Sequence, residues 1–202
     1  MQRLLGGIEA GKISASAIGA PEQDKLLSHS PEAIRERAAK LFAAVAADRQ
    51  VVLKRFESVN DLPGDAARGL TYFRQNCTPC HRLHDEGNAV GPDLGSVAFK
   101  PVGYLMLSIL DPNQSVEARY TGSIAVAKNE QEYTGIITAE TPNSITLRMA
   151  GGTDVVILRS DLKELNNTGR SLMPDGFENS LNPQALSDLI AFIRSNPSPG
   201  PH

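Results

Sequence analysis

Hydrophobic residues in the first 60 positions recur every three or four residues, the period of an amphipathic helix. The clearest set lies in the stretch rich in Ala, Arg and Glu: Ile34, Ala38, Leu41 and Val45. Pro21 and Pro31 lie at positions typical of a first helical turn, and Ser30 can cap the second helix. We therefore predict an N-terminal helical extension over residues 1–60, which acts as a spacer or as the tail of a preceding domain.

A turn-rich break, NDLPGD at residues 60–65, ends this extension and opens a new domain that runs over residues 61–202. The segment AARGLTYFRQN predicts a short helix that leads directly into CTPCH. A second helix is predicted for PVGYLMLSIL, between Pro101 at its start and Asp111 at its stop. The intervening GNAVGPDLGSV has the Gly and Pro content of an irregular loop.

The period changes from helical to two between about residues 120 and 165. Four runs there are rich in Thr, Val and Ile and are separated by turn signals: TGSIAVAK, EYTGIITA, SITLRMA and TDVVILR. Such runs predict a small antiparallel meander. Helical spacing returns in LNPQALSDLIAFIRS, where Asn182 can cap and Pro183 takes the first position. The predicted fold class is mainly α, with an antiparallel β insert and the N-terminal helical extension.

Composition and charge limit the classes of partner. The chain has 202 residues, of which 41% are hydrophobic and 21% charged, and it lacks Trp. These values are typical of a globular protein whose aliphatic core a cofactor could supplement. The formal net charge of −3 does not favour nucleic acid or an anionic membrane surface. No apolar run is long enough to span a bilayer, and the first residues lack the apolar core of a signal peptide.

The candidate chemistry lies in Cys77-Thr78-Pro79-Cys80-His81, which contains both cysteines of the chain. C-x-x-C-H is the attachment pattern of c-type haem. Each thiol adds to one vinyl group of the haem, and the adjacent imidazole becomes the proximal ligand of the iron. The motif therefore predicts one covalent haem c, with Cys77 and Cys80 as attachment points and His81 on the iron.

Two other interpretations of the motif remain open. A thioredoxin-like dithiol would need a core strand that opens a helix, whereas a helix is predicted before this motif. A structural zinc site would need four ligands, and only His81 and His84 lie near the two thiols. A non-haem dithiol or metal-binding module is therefore an alternative with less support.

Met173 is the candidate for the distal ligand of the iron. It lies in SLMPDGF, an irregular segment where Pro174 can hold the thioether rigidly. Met1 is the chain start, while Met106 and Met149 fit core positions of a helix and a strand. A His/Met pair is associated with raised reduction potentials.

The remaining histidines are not assigned to the iron. His84 would lie on the same helix and the same side of the ring as His81, so we expect it at the surface. His29 in the extension and His202 in the C-terminal tail have no predicted role. Pro92, in the GPDL loop, is the candidate acceptor for the free nitrogen of His81, because such a hydrogen bond would orient the imidazole and strengthen its donation to iron.

These features together resemble the class I c-type cytochromes. The matching segments are GLTYFRQ before CTPCH, GPDL, SLMP and the terminal LSDLIAFI. In that family the first and last helices cross near the haem through a small residue and an aromatic one. Gly69, Phe73 and Phe192 would fit those places. The resemblance implies a cytochrome c-like helical fold around one covalent haem.

Residues 62–196 look closer still to the haem-binding domains of planctomycete and verrucomicrobial type, which carry ILDPN, a strand-rich insert and SLMP. Such domains usually form the C-terminal part of large exported proteins, after a dehydrogenase-like propeller and helical repeats. The segment LSHSPEAIRERAAKLF is similar to the end of such a repeat region. We therefore expect the chain to be part of a longer, exported or periplasmic protein whose export signal lies outside this sequence.

The predicted function is one-electron transfer by an iron that keeps both axial ligands, without transformation of a substrate. The expected partner is a redox protein or a fused dehydrogenase domain, not nucleic acid, and no membrane span is expected. The main alternative is a haem-based sensor or a peroxide-reactive protein in which Met173 dissociates. We expect the β insert to pack beside the Met173 segment and to frame one haem edge.

Overall fold

The computed structural model describes residues 1–197, so the predicted frayed tail and His202 lie outside the described residues. Three helices form the N-terminal extension: α1 Gln2–Glu9, α2 Ala20–Leu27 and α3 Glu32–Arg55. They share a small core of Leu5, Leu26, Ile34 and Ala38. Pro31 rather than Ser30 takes the N-cap position of α3, and no side chain caps that end.

Three further helices surround the main core: α4 Ala66–Asn76, α5 Val102–Leu110 and α6 Pro183–Arg194. Phe56 and Val59, which follow α3, are buried in the same core. Short 3-10 turns connect these elements at Ala15–Ala17, Glu57–Asn60, Leu94–Val97, Ala118–Tyr120 and Phe177–Asn179. The extension is thus joined to the main core by apolar side chains at its end.

Helices α4 and α6 cross closely because Gly69 has no side chain. A Cβ atom on Gly69 would lie 2.0 Å from the Asp188 carbonyl oxygen. Phe73 and Phe192 meet beside this crossing, with ring centroids 5.4 Å apart. Burial of these rings against the crossing stabilises the orientation of α4, whose C-terminal end leads into CTPCH.

Side-chain caps fix where α4 and α6 begin. The Asp65 carboxylate accepts hydrogen bonds from the backbone N–H groups of Ala67 and Arg68, at 2.8 and 3.1 Å. The Asn182 side chain accepts from Ala185 N at 2.9 Å, and Pro183 follows it as the first helical residue. Each cap satisfies backbone donors that have no partner within the helix. The predicted cap at Asn182 is confirmed.

All strands pair antiparallel. A small hairpin follows CTPCH, with strands β1 Arg82–Leu83 and β2 Glu86–Gly87. The insert forms five longer strands: β3 Thr121–Ala127, β4 Glu132–Glu140, β5 Ser144–Arg148, β6 Asp154–Leu158 and β7 Leu162–Ser171. Their order in the sheet is β6-β5-β4-β3-β7. The chain leaves the sheet through β7, which leads directly into the segment that carries Met173.

The predicted fold class, a mainly α cytochrome c-like fold with a small β insert, is wrong. Helices, with the short 3-10 turns included, make up 45% of the described residues and strands 20%, in a five-stranded and a two-stranded sheet. The missed strand β7 has the polar sequence LKELNNTGRS, and it is a strand because it pairs with β3, for example Ser123 with Asn167. Long-range pairing of this kind leaves little hydrophobic pattern in the strand itself. The fold is a mixture of α and β.

The sheet has its own small core of Ala125, Ile145, Leu147 and Ile157. Within residues 1–197, no helix combines the length and the apolar character needed to cross a lipid bilayer.

Candidate functional site

The CTPCH segment forms a tight turn at the end of α4. Cys77 N donates to Phe73 O at 2.8 Å, which closes the last helical turn. His81 N then donates to Cys77 O, also at 2.8 Å. The segment is therefore held by backbone hydrogen bonds between residues close in sequence, and both cysteines and the histidine face one cleft.

The His81 ring is buried, and its Nδ1 atom lies 2.8 Å from the Pro92 carbonyl oxygen. Because a carbonyl oxygen only accepts, Nδ1 carries the hydrogen of this bond. In the neutral ring Nε2 then holds the free lone pair. Burial lowers the pKa of His81, and the hydrogen bond to Pro92 opposes this shift in part. The imidazole is thus in the form that binds a metal through Nε2.

The loop at Val90 and Gly91 wraps the His81 ring. The N–H groups of both residues donate to the Cys80 carbonyl oxygen, at 2.9 and 2.7 Å. A Cβ atom on Gly91 would lie 2.5 Å from His81 Cε1, so a larger residue would displace the ring or the loop. Glycine at this position allows the backbone to lie against the imidazole and brings the Pro92 carbonyl into hydrogen-bonding distance.

Neither cysteine forms a disulfide, and the pKa of each thiol is raised. Burial, with a smaller contribution from the charge of Cys80, raises the pKa of Cys77 to about 12. Burial also raises the pKa of Cys80. Redox-active dithiols depend on a lowered thiol pKa. The surroundings of Cys77 and Cys80 therefore favour protonated thiols and do not favour a thioredoxin-like site.

The cleft has a volume of about 260 Å³ and is lined mainly by apolar side chains. All five side chains singled out in the sequence line it: Cys77, Cys80, His81, Pro92 and Met173. Helix α5 forms one wall through Tyr104 and Leu105, and the sheet contributes Ile136 from β4. Residues distant in sequence therefore meet at a single site.

Met173 is half-buried and lies in the segment that follows β7, residues 172–178, which we call the Met173 segment. Its backbone N–H donates to Ser171 Oγ at 3.1 Å, and Leu172 N donates to Tyr120 O at 3.2 Å. None of the other methionines lines the cleft. The chain thus presents one thioether to the cavity that also contains His81.

The other two histidines among residues 1–197, His29 and His84, lie away from this cavity. His84 occupies the exposed turn between β1 and β2 with a φ of 53°, so the prediction that it shares a helix with His81 is wrong. The predicted surface position of His84 is correct. His29 lies just after α2 and does not line the cleft.

The sheet also contacts the CTPCH turn, through the hairpin that joins β5 and β6. Gly151 N donates to the Pro79 carbonyl oxygen at 2.8 Å. Arg148 Nη1 donates to the Ala89 carbonyl oxygen at 3.0 Å. These contacts join the insert to the CTPCH turn and to the loop that follows it. The sequence offered no signal for them, because they depend on how a distant hairpin packs.

A polar cluster that the sequence did not reveal lies beside Met173. It combines Asn113, which follows α5, with Arg170 near the end of β7 and Asp175 from the Met173 segment. Glu178 in the same segment pairs with Arg49 of α3. The sequence contained one weak signal for this cluster. Asn113 is part of ILDPN, one of the segments that carry the family resemblance, but no role could be assigned to it from the sequence.

The residues in the cleft fit a c-type haem. Two thiols, an imidazole with a free Nε2 lone pair and a thioether surround an apolar cavity. Over residues 1–197, no group of three or more His, Cys, Asp or Glu side chains is arranged to hold a metal ion. No protein-family model matches this chain, and no curated protein is similar enough to count as a relative.

Proposed function

We propose that this protein is a mono-haem c-type cytochrome that transfers one electron at a time. The observation that carries the proposal is the meeting of Cys77, Cys80, His81 and Met173 on one apolar cleft. The hydrogen bond from His81 Nδ1 to Pro92 O supports it further, because it leaves Nε2 free for the iron.

When bound, the haem supplies a reversible Fe(III)/Fe(II) couple. Cys77 and Cys80 would hold it through thioether bonds. His81 would bind the iron through Nε2, and the hydrogen bond to Pro92 would fix the imidazole in the orientation required. Met173 would be the second protein ligand of the iron, and a thioether ligand would raise its reduction potential. The apolar walls, including Leu105 and Ile136, exclude water and so favour the less charged Fe(II) state.

The partner and the location follow from this function. The partner is a redox protein or a dehydrogenase domain fused to the same polypeptide, and no substrate is transformed by this chain. We expect the protein to be exported or periplasmic, because the haem attachment motif is normally loaded outside the cytoplasm. The net charge of −3 favours a local docking surface over a broad cationic or anionic field.

The direct test is a pyridine haemochrome spectrum of the full chain produced with a haem c maturation system. We expect one covalent haem per chain, and a chain that never acquires haem would refute the proposal in favour of the dithiol or metal-binding alternative. Carbon monoxide is then added to the reduced protein. Slow or absent binding supports an electron carrier, whereas rapid binding supports a sensor or peroxide-reactive protein.

The ligand role of Met173 is tested by Met173→Ala. We expect the covalent haem to remain, the reduction potential to fall and carbon monoxide to bind readily, since the iron loses a thioether ligand. Met149→Ala is the matched control, because this methionine lies outside the cleft. An unchanged spectrum and potential in Met173→Ala would show that another group ligates the iron.

A further inference from the structure

The segment that carries Met173 is held by a set of charged and polar side chains. Asp175 accepts hydrogen bonds from Arg170 Nη2 at 2.6 Å and from Asn113 Nδ2 at 2.9 Å. The side-chain oxygen of Asn113 accepts from Ser171 N at 2.9 Å. Asn113 therefore joins both sides of the Met173 turn to the end of α5.

A second anchor reaches the same segment from the N-terminal extension. Arg49 on α3 donates through Nη2 to Glu178 Oε1 at 2.6 Å and through Nη1 to the Leu110 carbonyl oxygen at 3.2 Å. Arg55 Nη2 donates to the Glu178 backbone carbonyl oxygen at 2.9 Å. Helix α3 thus contacts the Met173 segment through two guanidinium groups, and that of Arg49 also reaches the C-terminal end of α5.

The ion pair between Arg49 and Glu178 is shielded from water. The Glu178 side chain is 7% exposed and that of Arg49 23%. Burial raises the pKa of Glu178, but its hydrogen bond with Arg49 and the nearby charge of Arg55 outweigh this effect, and the pKa lies below its ordinary value. Removal of one partner from such a buried ion pair is strongly destabilising, because the other charge stays buried without a counter-charge.

We propose that Arg49 is a positioning residue for Met173, so that the N-terminal helical extension controls how firmly the thioether faces the iron. The inference rests on the proposed function, in which Met173 is the distal ligand. Arg49 acts through Glu178 and touches neither the haem cleft nor Met173. With Arg49 removed, the buried carboxylate of Glu178 moves toward water and takes the Met173 segment with it.

Loss of the Arg49 anchor should loosen the Met173 segment. Glu178 Oε2 has no hydrogen-bond partner among the described residues. The negative charge of this carboxylate is therefore compensated mainly by Arg49, which binds Oε1. The anchor through Asn113 remains in place in such a variant. We therefore expect the Met173 segment to open more often without loss of the overall fold.

The first test uses the full chain without haem and measures amide hydrogen exchange at residues 172–178. We expect Arg49→Gln to exchange about tenfold faster than wild type there, the effect of losing one charge-assisted hydrogen bond. Arg37→Gln is the matched control, because Arg37 lies on the same helix and pairs with Glu9 at the surface. Its exchange at residues 172–178 should equal that of wild type.

The second test uses the haem-loaded protein. We expect Arg49→Gln to bind carbon monoxide about tenfold more tightly than wild type, because a more mobile Met173 competes less well for the iron. Arg49→Lys should lie between the two, since it keeps the charge but loses the forked contact to Glu178 and Leu110. A purely structural role for Arg49 would lower stability without changing carbon monoxide affinity.

The outcomes separate this inference from the proposed function. A wild-type chain that acquires no haem refutes the function itself. An Arg49→Gln variant that shows wild-type exchange without haem and wild-type carbon monoxide affinity when loaded with haem refutes the role of Arg49 and leaves the function intact. Should Arg49→Gln fail to fold, Glu178→Gln removes the same charge pair, and the same two outcomes apply.

Discussion

The two sides of the cleft are built in different ways. On the attachment side, backbone hydrogen bonds between residues 73 and 91 hold the CTPCH turn, and the His81 ring donates to the Pro92 carbonyl oxygen. On the opposite side, the Met173 segment is held by side chains from α3 and from the end of α5, such as Arg49 and Asn113. The first geometry is local in sequence, and the second depends on the assembled fold.

The difference has a consequence for how the site responds to change. Backbone hydrogen bonds within a short segment survive most side-chain substitutions. Charged contacts across long sequence separations are lost when either partner changes, and a lost partner leaves a buried polar group uncompensated. We therefore expect haem attachment to tolerate substitutions elsewhere in the protein, whereas the Met173 side responds to changes as distant as α3.

The largest effect is expected when the attachment side is removed. Replacement of both cysteines, Cys77→Ala with Cys80→Ala, should abolish covalent haem completely, because no other thiol is present in the chain. The measurement is haem absorbance that survives denaturation and solvent extraction of the protein. Met149→Ala is the control and should retain full haem content. Covalent haem in the double variant would mean that the attachment chemistry lies elsewhere.

The next largest effect is expected at the crossing that orients α4. The buried Asp188 carboxylate accepts hydrogen bonds from Asp65 N at 2.8 Å, Arg68 Nε at 2.7 Å and Gln184 Nε2 at 2.9 Å. Asp188→Asn would place an amide donor among these donors. We expect a loss of about 2 kcal/mol in the free energy of unfolding, measured by urea denaturation. Glu9→Gln, at a surface ion pair, should cost much less.

The same carboxylate makes stability depend on pH. Burial raises the pKa of Asp188, but the hydrogen bonds from Arg68, Asp65 and Gln184 outweigh it and lower the pKa below the ordinary 3.8. A lowered folded-state pKa stabilises the protein above the unfolded-state value, and this contribution is lost as pH falls through the folded-state value. Wild type should therefore lose stability below about pH 3.8 more steeply than Asp188→Asn. Parallel curves would contradict this account.

The Asp188→Asn variant also tests whether the attachment side is held locally. If the attachment geometry is local, Asp188→Asn should destabilise the protein while the haem-loaded form keeps its spectrum and its His81 ligation. A variant that lost haem content in proportion to its lost stability would show that the attachment turn depends on the α4–α6 crossing as strongly as the Met173 segment depends on Arg49.

A smaller effect is expected from Gly91→Ala. The added Cβ atom would lie 2.5 Å from His81 Cε1, so the ring or the loop must shift and the bond to Pro92 weakens. We expect a loss of about 1 to 2 kcal/mol in stability, the usual cost of overpacking. The reduction potential should rise, because a less basic imidazole stabilises Fe(III) less. Gly6→Ala, which adds a Cβ in open space inside helix α1, should leave the reduction potential unchanged and should not lower stability, because Ala is the better helix former.

The contrast between the two sides also explains what the sequence could predict. The end of α4 at CTPCH and the cap at Asn182 follow from residues next to each other, and both are present in the structure. The carbonyl of Pro92 lies at hydrogen-bonding distance from His81, in the loop that the Gly and Pro content indicated. Local rules of capping and turn formation are sufficient for such features.

Features that depend on distant partners were missed. Strand β7 is polar, and it is a strand only because β3 lies beside it. The pairing of Arg49 with Glu178 joins residues 129 positions apart, and neither side chain stands out in its own segment. The mainly α fold class failed for the same reason, since the helical periods were easier to recognise than the pairing of weakly patterned strands.

The smallest effect is expected where the sheet contacts the attachment turn. Arg148 pairs with Asp154 and donates to the Ala89 carbonyl oxygen at 3.0 Å. Arg159, in the turn that follows β6, also contacts a carboxylate and a backbone carbonyl, those of Glu140 and Thr141, but it does not reach the attachment turn. The two arginines therefore form a matched pair.

We expect Arg148→Gln to change global stability by less than about 1 kcal/mol, as for other exposed pairs, and to speed amide exchange at residues 88–91 about threefold. Arg159→Gln should leave exchange at those residues unchanged. The small size of the effect follows from the backbone hydrogen bonds to Cys80 O, which hold Val90 and Gly91 without help from the sheet. A large loss of order in Arg148→Gln would mean that the attachment side, like the Met173 side, depends on contacts that the surrounding fold supplies.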